Sequence, residues 1–274
     1  MSRLSDTFAT LKAQGRAALV TYVMAGDPGI DASFDILAGL PAAGADVIEL
    51  GFPFSDPMAE GLSIQHASQR ALANGVTLAE VLGLVHRFRQ ADDATPIVLM
   101  GYLNPLETRG FARFAAEAAE AGVDGLIVVD CPPEEADPLA DALDPVGISL
   151  IRLATPTTDA ARLPVVLRRT SGFVYYVSVA GVTGTKAAEA SVAAPQVERI
   201  RAASGLPVAV GFGIRTPEQA AAVARIADGV VVGSALVDEV AKALQENRPA
   251  APAVLHRVRA LAQAVRDARN TVEA

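Results

Sequence analysis

The stretch Ala45-Asp46-Val47-Ile48-Glu49-Leu50-Gly51-Phe52-Pro53-Phe54-Ser55-Asp56-Pro57-Met58-Ala59-Glu60-Gly61 shows how the chain is built. A short apolar strand begins at Val47 and carries one carboxylate, Glu49, near its end. A stiff loop follows, because Pro53 and Pro57 fix φ and remove two N–H donors. The loop brings back a second carboxylate, Glu60. The opening of this unit is echoed twice, in Val123-Asp124-Gly125-Leu126 and Ala227-Asp228-Gly229-Val230. Each echo joins the end of a helical pattern to the start of an apolar strand.

Working outward, the same alternation covers the chain. Leu4 to Gln14 reads as an amphipathic helix. Ala17 to Met24 is a continuous apolar run, as expected of a strand covered on both faces. Helices are expected over 31–43, 63–73 and 77–90, the last opened by a capping box of Thr77 and Glu80. Strands are expected over 96–100, 125–129, 149–153, 173–177, 207–210 and 229–232. Further helices are expected over 110–121, 134–143, 159–169, 196–204, 217–227, 234–245 and 252–269. Eight strand–helix units in 274 residues argue for a (β/α)8 TIM barrel with an extra N-terminal helix and extra helices. Residues 1–274 then form a single domain. A doubly wound open sheet is the competing architecture. It would usually place Gly-x-Gly-x-x-Gly after its first strand, where this chain has Gly26-Asp27-Pro28-Gly29.

The net charge of −8 and the lack of a basic stripe argue against nucleic acid or an anionic membrane as partner. The single cysteine fits a reducing, cytoplasmic setting. The N-terminus lacks the apolar core of a secretory signal, and no apolar run approaches ~18 residues, so no membrane span is expected.

In a barrel the active site lies at the C-terminal ends of the strands. Asp46, Asp124 and Asp228 precede their strands and are expected to be solvated or turn-forming. Glu49 and Asp130 fall late in theirs. A carboxylate in an apolar run is costly unless paired or used, so Glu49 is the leading candidate for proton transfer, with Glu60 beside it. A salt bridge across the barrel is the plainer reading of Glu49. Asp130 either takes part or orients a loop or an aromatic hydroxyl. Glycine-bearing turns follow the last three strands: Gly181-Val182-Thr183-Gly184, Gly211-Phe212-Gly213-Ile214 and Gly233-Ser234. Backbone N–H groups there can hold phosphate without net positive charge. Ser234 can also cap its helix, and Lys186 reads as a loop charge. Tyr22, Met100, Tyr102, Ile127, Val129, Leu153, Tyr175, Phe212 and Val232 lie at strand ends. They are either plain core or the wall of a site for a flat apolar ligand. Cys131 reads as an inert thiol. His66, His86 and His256 show no metal-ligand spacing.

The segments Glu49 to Pro57, Gly61 with Ile64-Gln65, Met24 to Pro28, Gly181 to Gly184, Gly211 to Ile214 and Gly233-Ser234-Ala235 together resemble the tryptophan synthase alpha subunit family. The resemblance spans nearly the whole chain. It implies retro-aldol cleavage of indole-3-glycerol phosphate to indole and glyceraldehyde 3-phosphate, with no cofactor in this chain. It also implies a beta subunit that joins indole to serine using pyridoxal phosphate, in an α2β2 heterotetramer. By position, Glu49 matches the acid/base, and Glu60 matches a carboxylate that stabilises the indole N–H. Thr183 matches a loop residue that closes over the site. Gly184, Gly213, Gly233 and Ser234 match the phosphate cradle, and Asp56 and Pro57 a loop facing the partner. Tyr22, Met100, Ile127, Tyr175 and Phe212 are expected to bind substrate. No metal is implied.

The chain departs from the family at Glu60, where Asp is usual, at Met58 and Leu62, and at Val179-Ala180. Glu60 motivates a competing reading, an alpha-type subunit that cleaves poorly and mainly activates its partner. A sugar-phosphate isomerase on the same fold is disfavoured by the Pro-Phe-Ser-Asp-Pro loop and the apolar mouth.

Overall fold

The computed structural model describes residues 2–178, 186–211 and 213–269. Eight parallel strands close into one barrel in sequence order: β1 (Ala18–Met24), β2 (Val47–Gly51), β3 (Ile97–Gly101), β4 (Gly125–Val128), β5 (Ser149–Ala154), β6 (Val174–Val177), β7 (Val208–Gly211) and β8 (Gly229–Val232). Every hydrogen-bonded neighbour is parallel, from β1–β2 round to β8–β1. The chain is thus a TIM barrel.

Side-chain alternation along each strand divides the apolar residues into two layers. One set fills the interior, with Val20, Val47, Val98, Ile127, Ile151, Ala209 and Val231. The other, including Leu19, Ile48, Leu50, Leu99 and Val230, packs under the surrounding helices. The helix Arg3–Ala13 closes the barrel floor: Leu4, Phe8 and Leu11 join the interior set, and Phe8 meets Phe173 at 5.5 Å between ring centroids. With the floor sealed, the barrel interior opens at its C-terminal mouth.

Thr77 and Glu80 form the expected capping box. Four elements differ from the sequence expectation, and each contains a proline. An additional helix, Leu103–Arg109, precedes Phe111–Ala121 and carries Pro105 in its first turn, where proline is tolerated. The region 134–143 divides into a 3-10 turn, Pro133–Glu135, and a helix, Asp137–Leu143. The region 159–169 keeps only Leu163–Leu167 as helix, and Arg169 next to it adopts φ 62°. The last difference places Lys186 not in a loop but at the start of the helix Lys186–Ser204, which runs through Pro195.

The acidic residues at the barrel floor are not solvated. Asp124 is buried between Arg89 (2.7 Å) and Arg3 (3.0 Å), and it accepts the Ile97 N–H at 2.8 Å. Asp46 takes two bonds from Arg16 and the Leu19 N–H at 2.8 Å. Asp228 takes Arg201 at 3.1 Å and the Val208 N–H at 2.9 Å. In each case a carboxylate at the start of an even strand holds an amide of the preceding odd strand. At the start of β6 the Ser171 hydroxyl does the same for Leu150, at 3.2 Å.

Candidate active site

The barrel mouth opens into a cavity of about 660 Å³. Glu49 lies on its floor. Val47 faces the interior, so alternation turns Glu49 inward as well, in register with Tyr22 on β1 and Val98 on β3. Its side chain is 1% exposed, and Oε1 has no hydrogen-bond partner among the described residues. Burial, and then the charge of Glu60, push its pKa up to about 8. Burial pushes half-buried Glu60 up to about 7. Two carboxyl groups on one cavity therefore sit close to their protonation midpoints at neutral pH. Burial and the same two carboxylates push the phenols of Tyr22 and Tyr175 far upward, so both keep their protons.

Two glycines make room for these phenols. A Cβ on Gly51 would lie 2.2 Å from the Tyr22 oxygen, and one on Gly211 would lie 2.4 Å from the Tyr175 oxygen. Nothing larger than hydrogen fits at either position while the rings stay in place.

The loop between β2 and the helix Leu62–Ala73 delivers Glu60. Near its start, the Ser68 hydroxyl accepts the Phe54 N–H at 2.9 Å and donates to the Phe54 carbonyl at 2.8 Å. At its end, Ala59 N–H donates to the Tyr102 oxygen at 2.9 Å, and Gln65 donates to the Glu60 carbonyl at 2.8 Å. The crest between them is exposed, with Asp56 facing solvent and Met58 85% accessible. Asp56 and Pro57 do not line the cavity.

Across the mouth, Gly213, Gly233 and Ser234 line the same cavity. Gly213 has φ 74°, which favours glycine. Gly233 is the cap of the helix Ser234–Gln245, so Ser234 is its first residue rather than its cap. Free first-turn amides and the helix dipole suit this end to an anion. Thr183, Gly184 and Phe212 lie outside the described residues.

Tyr22, Met100, Val129, Leu153 and Tyr175 also line the cavity. Ile127 does not. It pairs in register with Met100 but is fully buried in the interior layer, because strand tilt sets neighbours at different depths. Val231, rather than Val232, reaches the cavity. Tyr102 is buried under the Glu60 loop instead of lining the mouth. Asp130 lines the cavity and accepts the Leu103 N–H at 2.8 Å, so it orients the neighbouring loop. Burial raises the pKa of the Cys131 thiol. Arg152 is among the lining residues missed from sequence. Arg152 is 4% exposed and donates to the Cys131 carbonyl at 2.9 Å, while its Nε and Nη2 lack described partners. A charge inside the apolar run 149–153 was the available signal, by the reasoning that singled out Glu49.

A buried, near-neutral acid, a second carboxyl, two protonated phenols and an anion-suited turn thus share one apolar-walled cavity. That set can move a proton on a flat ligand held by a distant anionic group. The family model described as tryptophan synthase alpha chain matches residues 8–266. A relative of that name from Phenylobacterium zucineum (strain HLK1) is 67% identical over 273 residues, covering 100% of this chain and 99% of the relative. Another from Caulobacter vibrioides (strain NA1000 / CB15N) is 67% identical over 97% of each chain. The crystal structure of tryptophan synthase subunit alpha from Legionella pneumophila str. Paris superposes with a TM-score of 0.90 at 44% identity, covering 97% of this chain and 98% of that one.

Proposed function

Since the chain belongs to the tryptophan synthase alpha chain family, we propose that Glu49 and Glu60 carry out the proton transfers of that family's reaction in the cavity described above. The reaction is the lyase cleavage of indole-3-glycerol phosphate to indole and D-glyceraldehyde 3-phosphate, a step of tryptophan biosynthesis.

The observation that carries the assignment is Glu49, sealed at the cavity floor and holding its proton up to about pH 8. As an acid it protonates the indole ring carbon that bears the glycerol chain. As a base it then takes the proton of the hydroxyl on the adjacent carbon. The C–C bond breaks, its electron pair returns to the ring, and the aldehyde leaves. Glu49 ends with the proton count it began with. Protonating the ring carbon develops positive charge at the ring nitrogen, and ionised Glu60 stabilises that charge, more strongly in a cavity that excludes water. Tyr22, Met100 and Tyr175 wall the ring, and Gly213, Gly233 and Ser234 hold the phosphate.

The reading includes no cofactor in this chain. Its partner is the family's beta subunit, met through the exposed crest at Asp56 and Pro57. We take the assembly to be α2β2, with pyridoxal phosphate in the beta subunit, in the cytoplasm. Among the described residues no helix is long and apolar enough to cross a membrane. The deciding experiment is Glu49→Gln: cleavage is lost while indole-3-glycerol phosphate still binds. A retained rate would remove Glu49 from the reaction.

A further inference from the structure

We propose that Tyr102 is a positioning residue that sets the direction of Glu60, with Asp130 holding Tyr102 in place. The inference rests on Glu60 acting as described above and extends it to residues that touch no substrate.

The Glu60 loop meets Tyr102 at both ends. The Phe54 ring stacks on the Tyr102 ring, with centroids 5.0 Å apart and planes at 26°. Five residues later, Ala59 N–H donates to the Tyr102 oxygen at 2.9 Å. That bond fixes the Met58–Ala59 peptide, one residue before Glu60, and the Glu60 N–H itself donates to the Pro57 carbonyl at 3.2 Å. Gln65 holds the carbonyl immediately after its Cα at 2.8 Å. The Glu60 backbone is therefore clamped on both sides, while among the described residues no hydrogen bond ties the crest from Ser55 to Met58 to the barrel.

Tyr102 is in turn fixed. It is 3% exposed, at the end of β3, and the next backbone amide, Leu103 N–H, donates to Asp130 Oδ1 at 2.8 Å. Three successive loops are thus linked side by side, from Asp130 after β4, through Tyr102 after β3, to Glu60 after β2. Burial pushes the phenol up to about 12; the Ala59 N–H pulls the other way, and the carboxylates of Glu60 and Asp130 add to the rise. Tyr102 is absent from the cavity wall, so its influence on the reaction passes through Glu60.

Tyr102→Phe keeps the stacked ring and removes the hydroxyl that accepts the Ala59 N–H. A misplacement of about 1 Å at a catalytic group can cost on the order of 10²-fold. The expected result is a fall in kcat of about 10–100-fold with KM within about threefold. The decisive measurement is a double-mutant cycle on the full chain with its beta partner, read in single turnover so that slow residual cleavage is still measured. In a Glu60→Gln background, the further change Tyr102→Phe should cost less than about twofold, since the group it positions is already disabled. Equal losses in both backgrounds would overturn the inference and leave Glu60 in its role. No loss from Tyr102→Phe alone would also overturn it. An unchanged rate in Glu60→Gln would remove Glu60 itself from the reaction, and the inference with it.

Discussion

Tyr22 and Glu49 are register partners on β1 and β2, one interior level above the Val20–Val47 pair. The phenol and the carboxyl therefore stand side by side where the packed interior gives way to the cavity. Neither ionises readily there: burial raises both, and the charge of Glu49 raises Tyr22 further.

The pH dependence of cleavage follows from the two carboxyl groups. Glu60 works ionised, so rate is lost as pH falls through about 7; Glu49 works protonated, so rate is lost as pH rises through about 8. The profile of kcat/KM should be a narrow bell between these limits. In Glu60→Gln the acid limb should vanish and the alkaline limb remain. An acid limb that survives this substitution would detach it from Glu60.

Stability should carry a mark of Glu49 as well. Its folded pKa, about 8, lies above its unfolded value, so the native state holds the extra proton between roughly pH 4.5 and 8. Stability is therefore lost as pH rises across that window. Glu49→Gln removes the titration. Its gain in unfolding free energy should grow from under about 1 kcal/mol at pH 5 to a few kcal/mol near pH 8.5. Denaturant melts at the two pH values measure this, and a pH-independent difference would contradict it.

Glu60→Asp tests whether the longer side chain is a defect. Because the backbone at Glu60 is clamped by Tyr102 and Gln65, shortening the side chain should withdraw the carboxylate rather than let the loop follow. The expected outcome is a loss of about 10-fold or more in kcat. A large gain would instead favour an alpha-type subunit that cleaves poorly and mainly activates its partner.

Gly51→Ala should damage the site without adding any polar group. The new methyl would meet the Tyr22 oxygen at 2.2 Å, and the ring must move into the cavity or the strand must shift. Overpacking of this kind costs about 1–3 kcal/mol in stability. Weaker binding of indole-3-glycerol phosphate should accompany it. Calorimetry and ligand titration report the two effects separately.

Asp124→Ala should unfold the chain more readily while sparing the chemistry. It leaves the Arg89 charge held only by backbone carbonyls and the Ile97 amide without its acceptor, at the floor and far from the mouth. Breaking a buried pair by removing one partner costs about 3–5 kcal/mol. At temperatures where the variant is folded, kcat should be within about twofold of the parent.

The strands were legible because a parallel strand buried on both faces reads as an unbroken apolar run, as in Ala18–Met24. Glu49 was legible for a related reason, since two residues along from an interior Val47 must also point inward. Ile127 was misjudged because depth in a tilted barrel is not set by register. The floor carboxylates were misread because their partners are distant in sequence: Arg3 reaches Asp124 across 121 residues. Arg152 faces away from the barrel axis, and its place on the cavity wall depends on how the loop at Cys131 folds over it. No pattern within β5 encodes that fold.

At the barrel floor, Asp46, Asp124, Ser171 and Asp228 each latch an even strand to the odd strand before it. The barrel thus consists of four quarters, each a strand–helix–strand unit with its own clasp. Cutting the backbone between quarters would sever none of these clasps, so fragments divided there keep every one and are the natural units for splitting the enzyme or grafting it onto a relative.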